Sequence, residues 1–378
     1  MMEWKKLGTI ADRNKGIPIT AGQMNELASC DGNIRVFAAG STIADIDEAK
    51  LPVNCAHRLP SIIVKSRGYI DFEFYEKPFT HKNEMWSYSF ENKQLGKFIY
   101  YFLTTRTEFF RQKAKANSVK LPQLCVADTD NYLIPIPSLS EQNRIVGILD
   151  TFTSSIENLK EQIALRRKQY EHYRDQLLDP EGKEGVEMKT LRDIAEIKVG
   201  PFGSLIHKND YIKGGVPLVN PVQMQNGSIA KDDSFSVSSE MAEMLNNYLL
   251  RTNDIVFARR GEIGRCAIVT EKESNYICGT GSLIVRFIEK INSKYMLFMF
   301  SSPLCKKYLL KSAIGGSMLN INCDIVGKMI VPVPSLSEQQ RIVSILDTFE
   351  ASIQNLEAQL KEREKQYEYY RNKLLTFE

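Results

Sequence analysis

The sequence predicts an α+β protein: two globular mixed α/β domains separated by two long helices that pair as an antiparallel coiled coil, related by a pseudo-two-fold internal repeat. Three observations predict it. A long segment occurs twice, it carries a ladder of mostly apolar residues spaced three and four apart, and strand-like apolar runs lie in the stretches outside its copies. The 378 residues are 43% apolar and 25% charged, enough to bury two cores and too apolar to stay disordered.

Residues 134–178 return as 331–375, an offset of 197, with 29 of 45 aligned positions identical. A shorter echo, Leu7, Ile10 and Ala11 against Leu191, Ile194 and Ala195, lies at an offset of 184, so the second unit is 13 residues longer (197 − 184). Residues 12–133 and 196–330 do not align with each other by eye. The order is therefore a first globular domain over 1–137, a first long helix over 138–178, a linker over 179–187, a second globular domain over 188–334 and a second helix over 335–378.

Each helix has a marked start. Pro135 and Pro137, like Pro332 and Pro334, enforce an extended approach, and Ser138 with Glu141, like Ser335 with Glu338, has capping-box spacing. The first apolar ladder runs Ile145, Leu149, Phe152, Ile156, Leu159, Ile163, Arg166, Tyr170, Tyr173, Leu177. Its copy runs Ile342, Leu346, Phe349, Ile353, Leu356, Leu360, Arg363, Tyr367, Tyr370, Leu374. Spacing sustained this long is a coiled-coil seam. A lone helix of forty residues, about 60 Å, would leave that seam wet, so each copy is the other's simplest partner. Arg166 and Arg363 sit on the same rung, and each either pairs with an acid such as Glu161 or Glu362, fixes register, or snorkels at the seam edge. Asp179-Pro180-Glu181-Gly182 breaks the first helix.

The net charge of +3 announces no polyanion partner, but its distribution is informative. Residues 1–137 hold 18 basic and 15 acidic side chains and residues 186–334 hold 18 and 14, so both globular domains are positive. Both helical segments sum to −2, with 7 against 9 over 138–185 and 6 against 8 over 335–378. A polyanion would meet the globular domains.

There the basic residues cluster. Arg259-Arg260-Gly261-Glu262-Ile263-Gly264-Arg265 reads as a guanidinium-dense turn, able to meet phosphates or a guanine edge. Lys306, Lys307 and Lys311 make a basic helix before the polar loop Gly315-Gly316-Ser317-Met318-Leu319-Asn320. At the corresponding place in the first domain Arg111, Lys113, Lys115 and Lys120 surround Asn117-Ser118, and Lys65-Ser66-Arg67-Gly68 reads as a basic turn between strands. The runs Ser61–Val64, Asp254–Ala258 and Ser282–Val285 read as sheet core.

Catalytic signatures are absent from the sequence. No Gly-Lys pair is followed by Ser or Thr, which excludes a P-loop, and the four histidines (His57, His81, His172, His207) have no metal-ligand spacing or triad partner. Seven scattered cysteines without a Cys-x-x-Cys pair argue against a disulfide framework or a zinc finger. The opening Met1–Leu7 lacks a signal-peptide core and no apolar stretch reaches the roughly 20 residues that cross a membrane; a cytoplasmic protein is expected.

At the repeated Pro-x-Pro-Ser-Leu-Ser-Glu-Gln-x-Arg-Ile-Val-x-Ile-Leu-Asp-Thr-Phe element the chain resembles the DNA-specificity subunit of type I restriction-modification systems. Gly200-Pro201-Phe202-Gly203-Ser204-Leu205, the Asp254–Gly261 strand and turn, and the loop ending at Asn320 are also family-like, whereas the first domain departs from these patterns. The resemblance implies two target-recognition domains reading the halves of a split double-stranded DNA sequence, and helices that act as spacer and as docking surfaces for two modification (methyltransferase) subunits, with restriction subunits in the full complex. It implies no catalysis and no cofactor in this chain: S-adenosylmethionine, ATP and Mg belong to the partners. Because the two domains differ in sequence, the target is expected to be asymmetric.

The candidate DNA contacts are Lys65, Arg67, Arg111, Lys113, Lys115, Asn117 and Lys120 in the first domain, and Lys198, Ser204, Lys208, Arg259, Arg260, Arg265, Lys311, Ser317 and Asn320 in the second. Two other readings stay open here: a coiled-coil scaffold whose basic domains bind proteins, and an enzyme with an unrecognised site. A steep fall of affinity with salt separates DNA binding from the scaffold.

Overall fold

The computed structural model describes residues 2–377 except 119, 202–204, 233, 261–263 and 313–319, and the backbone alone of Lys208. The chain divides into two compact units, Met1–Glu161 with Glu357–Glu378, and Gln162–Leu356.

The first unit runs β1 (Glu3–Lys6), α1 (Leu7–Ile10), β2 (Asp12–Lys15), α2 (Ala21–Leu27), β3 (Ile34–Phe37), β4 (Ile43–Ile46), β5 (Ser61–Lys65), β6 (Asp71–Tyr75), β7 (Phe79–His81), β8 (Trp86–Ser89), α3 (Lys93–Thr105), α4 (Thr107–Asn117), α5 (Val126–Asp130), β9 (Leu133–Ile136) and the first half of α6 (Leu139–Leu178). A four-stranded antiparallel sheet has the order β2-β8-β5-β6, and a three-stranded sheet, β4-β3-β7, joins an antiparallel to a parallel pair. β1 and β9 close the domain as an antiparallel ribbon, Glu3 facing Ile136 and Lys6 facing Leu133.

The second unit runs β10 (Glu187–Thr190), α7 (Leu191–Ile194), β11 (Ala195–Val199), β12 (Val216–Val219), β13 (Met224–Gln225), β14 (Ser228–Ile229), β15 (Ser236–Val237), α8 (Ser239–Met244), β16 (Ile255–Ala258), β17 (Cys266–Ile268), β18 (Ile277–Cys278), β19 (Ser282–Phe287), α9 (Ser293–Ser301), α10 (Pro303–Ser312), α11 (Cys323–Gly327), β20 (Ile330–Val333) and the first half of α12 (Leu336–Leu374). Its sheets repeat the first unit's order strand for strand: β11-β19-β16-β17, and β15-β12-β18 with the same antiparallel and parallel pairs. The ribbon recurs in register, Glu187 facing Val333. The two globular domains, which the sequence leaves unaligned, thus share one topology. The extra length is largely local, since five residues (38–42) join β3 to β4 but sixteen (220–235) join β12 to β15.

Each domain clamps the start of its own long helix. Asn92 Oδ1 accepts from the amides of Gln94 and Leu95, and Asn292 Oδ1 from those of Lys294 and Tyr295, so the same cap starts α3 and α9. These helices bury Phe98, Phe102 and Leu103 against Ile145 and Leu149 in one unit, and Tyr295, Met296 and Met299 against Ile342 and Leu346 in the other. An ion pair marks the same junction twice, Lys97 to Asp150 at 2.7 Å and Lys294 to Asp347 at 2.7 Å.

The capping box is half made. Ser138 and Ser335 accept from the amides of Glu141 and Glu338 at 3.4 and 3.3 Å, but those glutamates form bidentate pairs with Arg144 and Arg341. The side-chain amides of Gln142 and Gln339 reach back instead, their Nε2 groups donating to the Pro137 and Pro334 carbonyls at 2.8 Å each.

Within each unit the helix halves run antiparallel. In the first, Phe152 stacks on Tyr370 (5.4 Å, 27° between planes) beside Tyr367, and further along α6 Lys160 pairs with Glu364, earlier on α12. In the second, Phe349 stacks on Tyr173 (5.4 Å, 29°) beside Tyr170, with the roles of the helices exchanged. Of the expected seam, Leu149, Ile156, Ile163 and Leu346 are buried, and Phe152, Leu159, Tyr170, Phe349, Ile353, Leu356, Leu360 and Tyr367 are half-buried. Arg166 and Arg363, for which the sequence leaves an acid partner, a register role and a place at the seam edge all open, lie against aromatic rings, their guanidinium carbons 5.8 Å from the Phe349 and 5.7 Å from the Phe152 ring centroids.

Candidate nucleic-acid interface

In both domains a basic hairpin turn is pinned to the loop that follows the basic helix. After β5 the chain turns through Ser66–Gly68, with Gly68 at φ 75°, a left-handed conformation that only a residue lacking Cβ adopts freely. The turn is held by the Leu124 amide on the Ser66 carbonyl (2.8 Å), the Gly68 amide on the Pro122 carbonyl (2.9 Å) and a bridge between Arg67 and Gln123. In the second domain the Ile321 amide donates to the Arg259 carbonyl (2.9 Å), and Arg260 bridges Asn320. Arg67 and Arg260 are both exposed at this junction. An exposed guanidinium whose backbone is tied to a facing loop is a donor fork suited to phosphate or a base edge.

The other candidates divide into anchored and open. Lys65 is mostly covered and pairs across the sheet with Glu73 at 2.8 Å. Arg111 donates to the Ile70 carbonyl (3.2 Å) and lies 4.9 Å from the Tyr69 ring centroid, bracing the turn from beneath. Asn117 donates to Asp128 (2.7 Å), the residue that also caps α5 by accepting from the Cys125 amide. Arg259 donates to the Ile321 carbonyl (3.2 Å), Arg265 to the Pro221 carbonyl (3.2 Å), and Lys198 pairs with Glu196 at 3.0 Å. Asn320 is half-buried, its Oδ1 enclosed without a hydrogen-bond partner among the described residues. Lys113, Lys115, Lys120 and Lys311 are exposed around the junctions, together with Lys306 and Lys307. Lys208 starts a single 3₁₀ turn, while Ser204 and Ser317 lie outside the described residues. Sequence reasoning missed Gln123, which the bridge brings beside Arg67; its only signal was its place in the loop before a helix.

Burial pushes Cys266 and Cys305 each up to about 12, far from a reactive thiolate. Among the described residues no cluster of His, Cys, Asp or Glu could hold a metal ion, and no helix is long and apolar enough to cross a membrane.

A second surface follows from the repeat. Just beside the seam, Glu141, Arg144, Ile148, Thr151 and Ser155 recur as Glu338, Arg341, Ile345, Thr348 and Ser352, identical at every position. At the neighbouring exposed positions 143, 147, 154 and 157 the copies differ (Asn/Gln, Gly/Ser, Ser/Ala, Glu/Gln). In the second unit Ile345, Thr348, Phe349 and Ser352 line a groove with Arg166.

A family model described as the type I restriction modification DNA specificity domain matches residues 5–166 and again 183–364. The EcoR124I/EcoR124II specificity subunit of Escherichia coli is 31% identical over 364 residues, covering 91% of this chain and 87% of its own. A putative type I restriction enzyme specificity subunit of Haemophilus influenzae is 27% identical over 403 residues, covering 100% and 96%. Among solved structures, the S subunit of a type I restriction-modification system from M. genitalium superposes with a TM-score of 0.63 at 17% identity, covering 100% of this chain and 97% of that one. A chain from a study of complex assembly and conformational transition in a type I system gives 0.58 at 15% identity, covering 99% and 96%.

Proposed function

The chain belongs to the type I restriction-modification DNA specificity family, and on that premise we propose that it is a non-catalytic subunit whose two globular domains each read one half of a bipartite, asymmetric DNA target while its long helices dock two modification subunits. The observation that carries this reading is the twice-built junction of basic turn and loop. Both domains present an exposed arginine at the same topological position, Arg67 and Arg260, but set different side chains beside it, Gln123 and Asn320. The scaffold is common and the reading surface is not, which is what two unlike half-sites require.

The copied helix stripe supports the docking half of the proposal. The stripe is identical in both copies while the adjoining positions 143, 147, 154 and 157 differ. A stripe held identical in both copies suits two identical partners, one on each. S-adenosylmethionine would be held by those modification subunits, and ATP and Mg by restriction subunits; this chain supplies the address.

The test is co-purification with the host's modification subunit, then sequencing of DNA methylated by the pair and by each component alone. Methylation at one bipartite motif only when both are present supports the reading, with binding that weakens steeply as salt rises. Methylation by the partner alone, or none by a folded pair, overturns it and returns the protein to a scaffold.

A further inference from the structure

The sixteen residues that join β12 to β15 build the hairpin β13-β14, and the short turn at residues 38–42 leaves the first domain without a counterpart. The hairpin is not a loose insertion. The Gly227 carbonyl accepts from the Ile268 amide (3.0 Å), Gly227 bridges Ala267 on β17, and the Ala230 amide donates to the Gln223 carbonyl (2.8 Å). Gly227 has φ 75° and sits so tightly on α9 that a Cβ there would come within 2.9 Å of Leu297. Asn226 also takes a left-handed φ, 49°, so the two-residue turn is fixed and leaves the side chains of Gln225 and Asn226 exposed, the Gln225 amide making only a long contact to the Val222 carbonyl (3.5 Å).

These amides form one wall of a cleft of about 600 Å³ whose other walls are Gly264 and Arg265, at the end of the basic turn, and Ser301 and Lys306. Lys306 is exposed and no acid pairs with it among the described residues. Side-chain amides held on a rigid tip are suited to the N6 and N7 edge of adenine, and an unpaired ammonium beside them is suited to backbone phosphate.

We propose that the β13-β14 hairpin is a specificity element of the second domain alone, with Gln225 and Asn226 reading an A·T pair in the second half-site and Lys306 holding the adjoining phosphate. The inference rests on the DNA-reading role proposed above. It adds that the two half-sites are read by unequal sets of elements, with the extra contact in the second.

The experiment uses the full chain in complex with its modification subunits. A Gln225→Ala/Asn226→Gly variant removes both amides and keeps the left-handed turn; Lys306→Gln removes the charge. With the double variant, sequencing of the methylated DNA should show at least tenfold lost discrimination at one A·T position of the second half-site and an unchanged first half-site. Lys306→Gln should weaken binding to all sequences alike and lower the salt slope by about one phosphate, leaving the motif intact. An unchanged motif from the folded double variant, or relaxation of the first half-site, overturns the proposal while the wild-type motif keeps the DNA-reading role standing. A wild-type complex that methylates no bipartite motif defeats both.

Discussion

In the first domain β3 passes to β4 through five residues, whereas in the second β12 reaches β15 through sixteen and a docked hairpin, although the sheets on either side keep the same strand order. The comparison teaches where each kind of constraint acts. Strand order, the closing ribbon and the Asn caps of α3 and α9 are fixed by backbone pairing and burial, which many sequences satisfy. The connections, freed from core packing, carry the difference in what is read.

The sharpest break in the symmetry is His81. It is fully buried in the first domain, 5.6 Å from His57 between ring centroids, with Ser87 Oγ at 3.2 Å and the Lys82 carbonyl at 3.1 Å, while the paired strand β18 ends at Cys278. Burial, against the Lys82 carbonyl and with a further push from His57, lowers its pKa to about 4. A lowered histidine pKa means that the folded state resists the proton. The stabilisation is complete above the unfolded value near 6.5 and is lost as pH falls from there towards 4, on the order of 3 kcal/mol in all. Hydrogen exchange across that range should show the first domain loosening before the second, and His81→Gln should reduce the difference, leaving the share of His57, whose pKa burial also lowers.

Phe152→Ala and Phe349→Ala probe what the two halves share. Each removes a half-buried ring stacked on a tyrosine and capped by an arginine, so each should cost about 2 kcal/mol, below the range for fully buried rings. Denaturant unfolding should give equal losses, and markedly unequal ones would show that the seams are not equivalent. A smaller effect is expected from Arg363→Gln and Arg166→Gln, about 0.5–1 kcal/mol apiece for a partly exposed cation over a ring.

Smallest for stability is Arg144→Ala. Its pair with Glu141 is exposed and screened by solvent, so its loss should leave stability close to that of the wild type. On the docking account, however, Arg144→Ala and Arg341→Ala should each weaken retention of one modification subunit, read as a loss of mass in native mass spectrometry at unchanged melting temperature. Full occupancy in the double variant would take the copied stripe out of the docking surface.

Much of this architecture is legible in the sequence because helix signals are local. A ladder spaced three and four, apolar at every rung but Arg166, runs from Ile145 to Leu177, and the breaking Asp179-Pro180 follows it, so the observed ends at Leu139 and Leu178 need no tertiary information. The shared topology of the two domains is not legible, because short strands such as β12 and β15 are specified by long-range pairing that leaves no common residue pattern. The candidate interface is legible in part. Composition marks the basic turns, but only the fold shows that Arg111 braces a turn and Asn117 serves a cap while Arg67 and Arg260 stand exposed beside Gln123 and Asn320. The cation-over-ring contacts of Arg166 and Arg363 escape it because the aromatic partner lies on the other helix, far away in the sequence.

The most direct test of the central claim, that one fold used twice reads two different half-sites, is sequencing of every position methylated by the wild-type chain assembled with its modification subunits. The account predicts a single motif of two unlike halves separated by unread bases. A palindromic motif, or one uninterrupted block, would contradict it.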